Sequence, residues 1–190
     1  MKGTPRPRRS ERGSFPPVID LPQIDTNALD LDDSEDVYGL IKELINGMHP
    51  GILTTVDADG RPQARWMSTF CVNAFPLFYT LTSPGSRKVA QIRAHPEVNW
   101  MFFNQDLSLI VSLAGKARVV TEGKLLRQVW KLVKDKTLAY FLKDLNAGPD
   151  FVAIETQIES IECNSPKNFL RFSVKPTEVC RAGMAEDNIR

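Results

Sequence analysis

The sequence predicts a mainly β protein with peripheral helices, folded as a Greek-key β-barrel of six or seven antiparallel strands. Short β-branched and apolar runs are separated by turn residues over most of the chain, and helical patterns fall only between particular runs. One long run, residues 107–120, contains Gly115, and a small barrel turns a corner by bending a strand at glycine. Periodicity alone does not separate a barrel from a sandwich.

The composition is typical of one soluble globular domain. Of the 190 residues, 42% are hydrophobic and 25% are charged. Because the net charge is +1, no global field selects a nucleic-acid or membrane partner. The absence of a long apolar run or an apolar signal core leads us to expect a cytoplasmic protein. Its three cysteines, odd in number and without zinc spacing, are expected to be free thiols.

Composition divides the chain into three regions. Residues 1–33 are predicted to be a flexible N-terminal extension, because arginines and prolines are interleaved there. Residues 34–175 form the predicted barrel domain, and residues 176–190 form a C-terminal tail. The basic arm is a candidate nucleic-acid contact. The preferred interpretation is a solvated extension neutralised by the aspartates that follow it, and a further one is that it lies over a partner subunit.

The first predicted helix covers about residues 37–48, where apolar residues recur on one helical face. Ser34 is a suitable N-cap, and Pro50 ends the helix. Three more helices are predicted at residues 86–94, from about residue 122, and at residues 137–145. The predicted strands cover residues 51–56, 63–72, 77–81, 98–103, 107–120, 151–161 and 169–174.

A cluster of cations and hydroxyls stands out against this framework. Arg65, Trp66 and Met67 lie on the second predicted strand, and residues 77–81 form the next one. Ser86 can then cap a helix whose first residues are Arg87 and Lys88. Helix N-termini attract anions, and arginine presents a planar fork that matches phosphate oxygens. The stretch therefore predicts a pocket for a ligand with a phosphate tail, with the tryptophan and methionine covering a flat apolar head.

Other chemistry is missing from the sequence. Both histidines precede a proline at a predicted helix end, so a histidine-based metal site or nucleophilic triad is not expected. Glu155, Glu159 and Glu162 are expected on the solvated side of a strand. No side chain is assigned as catalytic, so an enzyme built on this chain would depend on a cofactor.

Seven motifs in order resemble the FMN-binding split-barrel family related to pyridoxamine 5'-phosphate oxidase, especially its general stress protein branch. The resemblance covers about residues 37–162. Its motifs are Gly51–Val56, Asp59–Pro62, Arg65–Met67, Phe78–Thr80, Gly85–Lys88, His95–Val98 and Gly115–Ala117.

The resemblance implies FMN at the subunit interface of a homodimer, with a small-molecule electron donor and acceptor. Arg65 would reach the phosphate or ribityl chain. Other implied flavin contacts are Trp66, Met67 and Ser68 along the ring, Tyr79 and Thr80 on the second flavin strand, and Ser86, Arg87 and Lys88 at the phosphate.

The chain also departs from the oxidase pattern. Phe70 stands where the oxidase has a substrate-binding lysine, Glu155 where it has a substrate-reading arginine, and Ile110 near an expected glutamine. We therefore expect an FMN-dependent oxidoreductase that does not oxidise pyridoxamine phosphate. The alternatives are a non-enzymatic flavin-binding stress protein, a small barrel that binds nucleic acid, and a haem- or deazaflavin-binding relative.

Overall fold

The computed structural model describes residues 39, 41, 44, 45, 50–69, 76–104, 107–134, 151–166 and 169–177. The predicted N-terminal extension, the helix at residues 137–145 and Phe70, Cys71 and Cys180 lie outside these residues. Of the first predicted helix, Ile41, Leu44 and Ile45 are described and buried, as the amphipathic pattern predicts.

The described part of the chain contains seven strands and two helices. In chain order they are β1 (Gly51–Val56), β2 (Pro62–Met67), β3 (Leu77–Thr82), α1 (Arg87–Ala94), β4 (Glu97–Phe103), β5 (Ile110–Val120), α2 (Gly123–Lys134), β6 (Val152–Ser165) and β7 (Leu170–Val174). Neither helix has the length and apolar composition that a membrane-spanning helix requires.

All seven strands belong to one antiparallel sheet, so the predicted mainly β fold is confirmed. The strand order is β2-β1-β4-β5-β6-β3, and β7 also pairs with β6. The long β6 pairs with β3 along its first half and with β7 along its second. β2 and β3 stand at the two ends of this order. A side chain links them, because the Thr80 hydroxyl donates to the carbonyl oxygen of Ser68, just after β2, at 2.6 Å.

The predicted irregularity at Gly115 is confirmed where β5 pairs with β6. The register steps from Ala114 opposite Ser160 to Gly115 opposite Ile158, so Glu159 is an extra residue on β6. A Cβ atom on Gly115 would lie 2.0 Å from the carbonyl oxygen of Gln157. Only glycine allows the bulged backbone of β6 to approach this closely.

The bulge also changes which residues of β6 point inward. After it, Ile161 and Cys163 are buried, whereas before it the buried inward residues are Ile154, Thr156 and Ile158. The inward positions thus shift from even to odd numbers, because one unpaired residue reverses the alternation of a strand.

The main core fills the inner side of the sheet. Trp100 and Phe102 stack with ring centroids 5.9 Å apart, and Phe78 meets both rings edge-on. Helix α1 contributes Val89 and Ile92 at its buried face. A second, smaller cluster lies under α2 and contains Tyr79, Leu81, Val120, Val129 and Ala153.

The expectation for Glu155 is wrong. Glu159 and Glu162 are exposed as predicted, but Glu155 is only 9% exposed. Its carboxylate accepts from Arg118 Nε at 2.5 Å and from the Tyr79 hydroxyl at 2.8 Å. Arg118 and Tyr79 are its cross-strand neighbours on β5 and β3, so the carboxylate is buried but paired with a cation.

We predict that Gly115→Ala lowers the free energy of unfolding by about 1–3 kcal/mol, because the new methyl group must displace paired backbone. Urea denaturation measures the change. Gly85→Ala is the matched control, since nothing lies within 4 Å of the Cβ position there. Equal stabilities for the two variants would contradict the bulge geometry.

Candidate functional site

Three cationic side chains approach one another where α1 begins. Arg65 comes from the inward-facing side of β2, and Arg87 and Lys88 are the first residues of α1. We call Arg65, Arg87 and Lys88 the cation cluster. The strand alternation of β2 and the position of the helix start place these residues as the sequence predicts.

Neutral groups hold the Arg65 guanidinium. Nη1 donates to the Thr55 hydroxyl oxygen at 2.6 Å, and Nη2 donates to Gln91 Oε1 at 3.0 Å. Thr55 is fully buried on β1, two residues along from the cross-strand partner of Arg65. Gln91 lies one helical turn after Lys88, so the two share a face of α1.

Two neighbouring hydroxyl groups, from Thr82 and Ser86, lie beside Lys88. Its ammonium Nζ donates to Thr82 Oγ1 at 2.8 Å, and that oxygen lies 3.2 Å from Ser86 Oγ. The predicted capping role of the Ser86 side chain is wrong, because this side chain makes no capping hydrogen bond. Instead, the Ser86 hydroxyl pairs with the Thr82 hydroxyl that accepts from Lys88.

The charges of the cation cluster are not offset. Burial lowers the pKa of Lys88, and the charge of Arg65 lowers it further. Burial likewise lowers the pKa of Arg65, with Arg87 as the second cause. Among the described residues, no carboxylate forms an ion pair with any of the three, whereas Arg118 and Arg171 both have one.

This arrangement is suited to binding an anion with more than one negative charge. Several N–H groups of the cluster remain available, and the first turn of α1 adds backbone N–H groups and a positive dipole end. A phosphate monoester supplies two charges and several acceptor oxygens, so it matches both the charge and the donors.

The other predicted site residues lie around this cluster rather than within it. Met67 shares the inward side of β2 with Arg65, and Ser68 and Thr80 are joined by their hydrogen bond. Trp66 projects from the opposite side of β2, is 59% exposed, and meets Phe103 edge-on at 5.7 Å.

Tyr79 lies on the other side of β3 from Thr80, with its hydroxyl donated to Glu155. The sequence reasoning missed Thr55, Thr82 and Gln91 as members of the site. The inward alternation of β1 and the three-residue spacing from Lys88 to Gln91 were the available signals.

Two other kinds of site receive no support within the described ranges. No group of three or more histidine, cysteine, aspartate or glutamate residues is placed to hold a metal ion there. Burial raises the pKa of the Cys163 thiol to about 12, so this cysteine is protonated and unreactive at neutral pH.

Comparison with protein families gives one match. The sequence model described as "Pyridoxamine 5'-phosphate oxidase" matches residues 39–164, more than half of the chain. A search of proteins with curated descriptions gives no match.

Solved structures resemble the fold. General Stress Protein 26 from Bacillus anthracis is 22% identical, with a TM-score of 0.55 over 73% of this chain and 98% of that chain. A protein related to general stress protein 26, of the pyridoxinephosphate oxidase family from Clostridium acetobutylicum, is 15% identical, with a TM-score of 0.63 over 76% and 98%. A heme binding protein from Mycobacterium smegmatis is 14% identical, with a TM-score of 0.61 over 78% and 60%. At these identities the likeness shows the fold alone.

The crowding of the cluster predicts a pH dependence of stability. Because the pKa of Lys88 is lowered from 10.5, the unfolded chain binds more protons than the folded chain between the lowered value and 10.5. The free energy of unfolding should therefore rise with pH in that window. We expect the rise in wild type but not in Lys88→Met, as measured by urea denaturation at a series of alkaline pH values. Parallel pH profiles for the two proteins would contradict the crowding.

Proposed function

The chain belongs to the pyridoxamine 5'-phosphate oxidase family, which folds as a split barrel, and from that membership we propose that it binds FMN as a redox cofactor. The observation that carries the proposal is the cation cluster, whose charges no described acid offsets. When bound, FMN supplies the capacity to take up and release electrons, which fits a chain that has no side chain assigned to catalysis.

The residues of the site fit this cofactor. Arg65, Arg87 and Lys88 would hold the phosphate, whose charge would relieve their mutual repulsion. Thr82 and Ser86 place hydroxyl groups beside Lys88, suited to a phosphate or a polar flavin chain. Residues 65–68 cover the end of β2 and the Ser68 carbonyl that accepts from Thr80. Backbone N–H and C=O groups of this segment would bind the edge of the flavin ring.

The most fitting activity is that of a flavin-dependent oxidoreductase that takes a hydride from a small-molecule donor. Pyridoxamine phosphate is not the proposed substrate, because the oxidase-like pattern has Glu155 where a substrate-reading arginine is expected. The Glu155 carboxylate already binds Arg118 and Tyr79, and its negative charge would repel a phosphorylated ligand.

We also propose a homodimer, with a second copy of this chain covering the outer side of β2, β1 and β4. Trp66, Ile52 and Met101 form one cross-strand row there, and Phe103 packs against the tryptophan. An exposed apolar row of this kind is typical of an interface. Arg65 and Trp66 point to opposite faces of β2, so a partner bound at Trp66 would be separated from the phosphate site only by this strand.

We predict that Arg87→Ala and Lys88→Ala each weaken FMN binding by about 1.5–3 kcal/mol, the contribution of a charge-assisted hydrogen bond. Fluorescence titration of the apoprotein with FMN measures the change. Arg93→Ala is the matched control, because it removes an exposed cation from the last turn of the same helix. Affinities that match the control would contradict the proposed phosphate site.

The visible spectrum of the purified protein separates the cofactors. Flavin bands would support the proposal, and a Soret band that persists after loading with FMN would replace it with haem. Turnover of a reduced nicotinamide nucleotide with any acceptor separates an oxidoreductase from a flavin-binding stress protein. A protein that stays colourless in excess FMN would reject both flavin functions.

We predict that Met101→Glu raises the dissociation constant of the dimer by about tenfold or more, because an unpaired carboxylate would be buried at the centre of the apolar row. Light scattering over a range of protein concentrations measures the mass. Ser173→Glu, at an exposed position on β7, is the control. A Met101→Glu protein with the mass of wild type would rule out this face as the interface.

A further inference from the structure

Thr55, Arg65 and Gln91 form a closed ring of three hydrogen bonds. Arg65 donates to the Thr55 hydroxyl oxygen at 2.6 Å and to Gln91 Oε1 at 3.0 Å, and the Thr55 hydroxyl lies 2.7 Å from the same Gln91 oxygen. The three residues come from β1, β2 and α1, so the ring joins the first hairpin to the helix that carries Arg87 and Lys88.

Donor and acceptor chemistry fixes the direction of every bond in the ring. The guanidinium only donates, so the oxygen atom of the Gln91 amide, and not its nitrogen, must face it. The Gln91 oxygen then accepts the Thr55 proton, which leaves the threonine oxygen to accept from Arg65. Each of the three contacts therefore has one donor and one acceptor, and the ring needs no change of protonation.

Both partners of the arginine are uncharged. A carboxylate at position 91 could hold the guanidinium in the same place, but it would cancel the charge on which anion binding depends. Arg118 shows that alternative in the same molecule, because its guanidinium is held by Glu155 and Glu122. The two arginines thus differ in their partners: carboxylates cancel the charge of Arg118, whereas neutral oxygens leave the charge of Arg65 intact.

We propose that Thr55 and Gln91 are positioning residues, which fix the Arg65 guanidinium for phosphate binding and leave its charge uncancelled. The ligand class is a phosphate monoester, and its identification as FMN rests on the proposed function. Thr55 and Gln91 need not touch the ligand. Their contribution is that Arg65 is already ordered before the anion arrives, which lowers the entropic cost of binding.

The main test is Gln91→Glu, which preserves shape and the acceptor oxygen but adds a negative charge. Arg93→Gln is the matched control, because it lowers the net charge by the same one unit at an exposed position on the other side of α1. We expect Gln91→Glu to lower the affinity for FMN by about tenfold or more relative to Arg93→Gln, the scale of a charge-assisted contact. The affinity for riboflavin, which lacks the phosphate, should change little, whereas a merely structural defect would lower both.

A second pair of variants tests Thr55, which is fully buried. Thr55→Val keeps the volume but removes the hydroxyl group, and Thr55→Ser retains it. We expect the valine variant to lose FMN affinity relative to riboflavin and the serine variant to recover it. If Gln91→Glu does not fold, this pair decides the proposal alone.

Inorganic phosphate separates this inference from the flavin function. Thermal stabilisation of wild type by phosphate, lost in Gln91→Glu but kept in Arg93→Gln, would support the positioning role even if FMN does not bind. FMN binding that is equal in Gln91→Glu and Arg93→Gln would overturn the positioning role and leave the flavin function standing. A wild-type protein that responds to neither phosphate nor FMN would overturn both.

Discussion

Uncancelled positive charge is the constraint on which the site depends. Arg65 and Lys88 are partly buried beside the exposed Arg87, and burial together with the neighbouring positive charges lowers the pKa of both Arg65 and Lys88. The arrangement costs folding free energy, which must be offset by the rest of the molecule. The closely packed aromatic core around Trp100 offsets it, and a bound anion would return part of the cost as affinity.

The topology explains how so many separate elements supply one place. The β1–β2 hairpin provides Thr55 and Arg65, while β3 and α1 provide Thr82 and Lys88. These two units stand at opposite ends of the strand order, so the site forms only when the sheet curls far enough to bring its ends together. Local sequence therefore sets the chemistry of each unit, and the whole sheet sets their distance.

This division also explains what sequence reasoning could predict. The fold class, the bend at Gly115 and the placing of Arg65, Arg87 and Lys88 follow from local patterns, because alternation and helix starts are short-range signals. The partners of the arginine do not follow, because they depend on how α1 sits against the first hairpin. The burial of Glu155 was missed because it depends on other elements: Glu155 lies on the outer side of β6 before the bulge, where Tyr79 of β3, Arg118 of β5 and the cluster under α2 surround it.

The bulge divides β6 into two segments with opposite inward–outward alternation, which meet at Glu159. Ahead of the junction even-numbered residues point into the barrel, and beyond it odd-numbered residues do. Deleting one residue at this point would give the whole strand a single alternation. If the second segment kept its position, the first would present Glu155 to the core and Ile154 to the outer side. A deletion at this point would therefore disturb more buried surface than most single substitutions in β6.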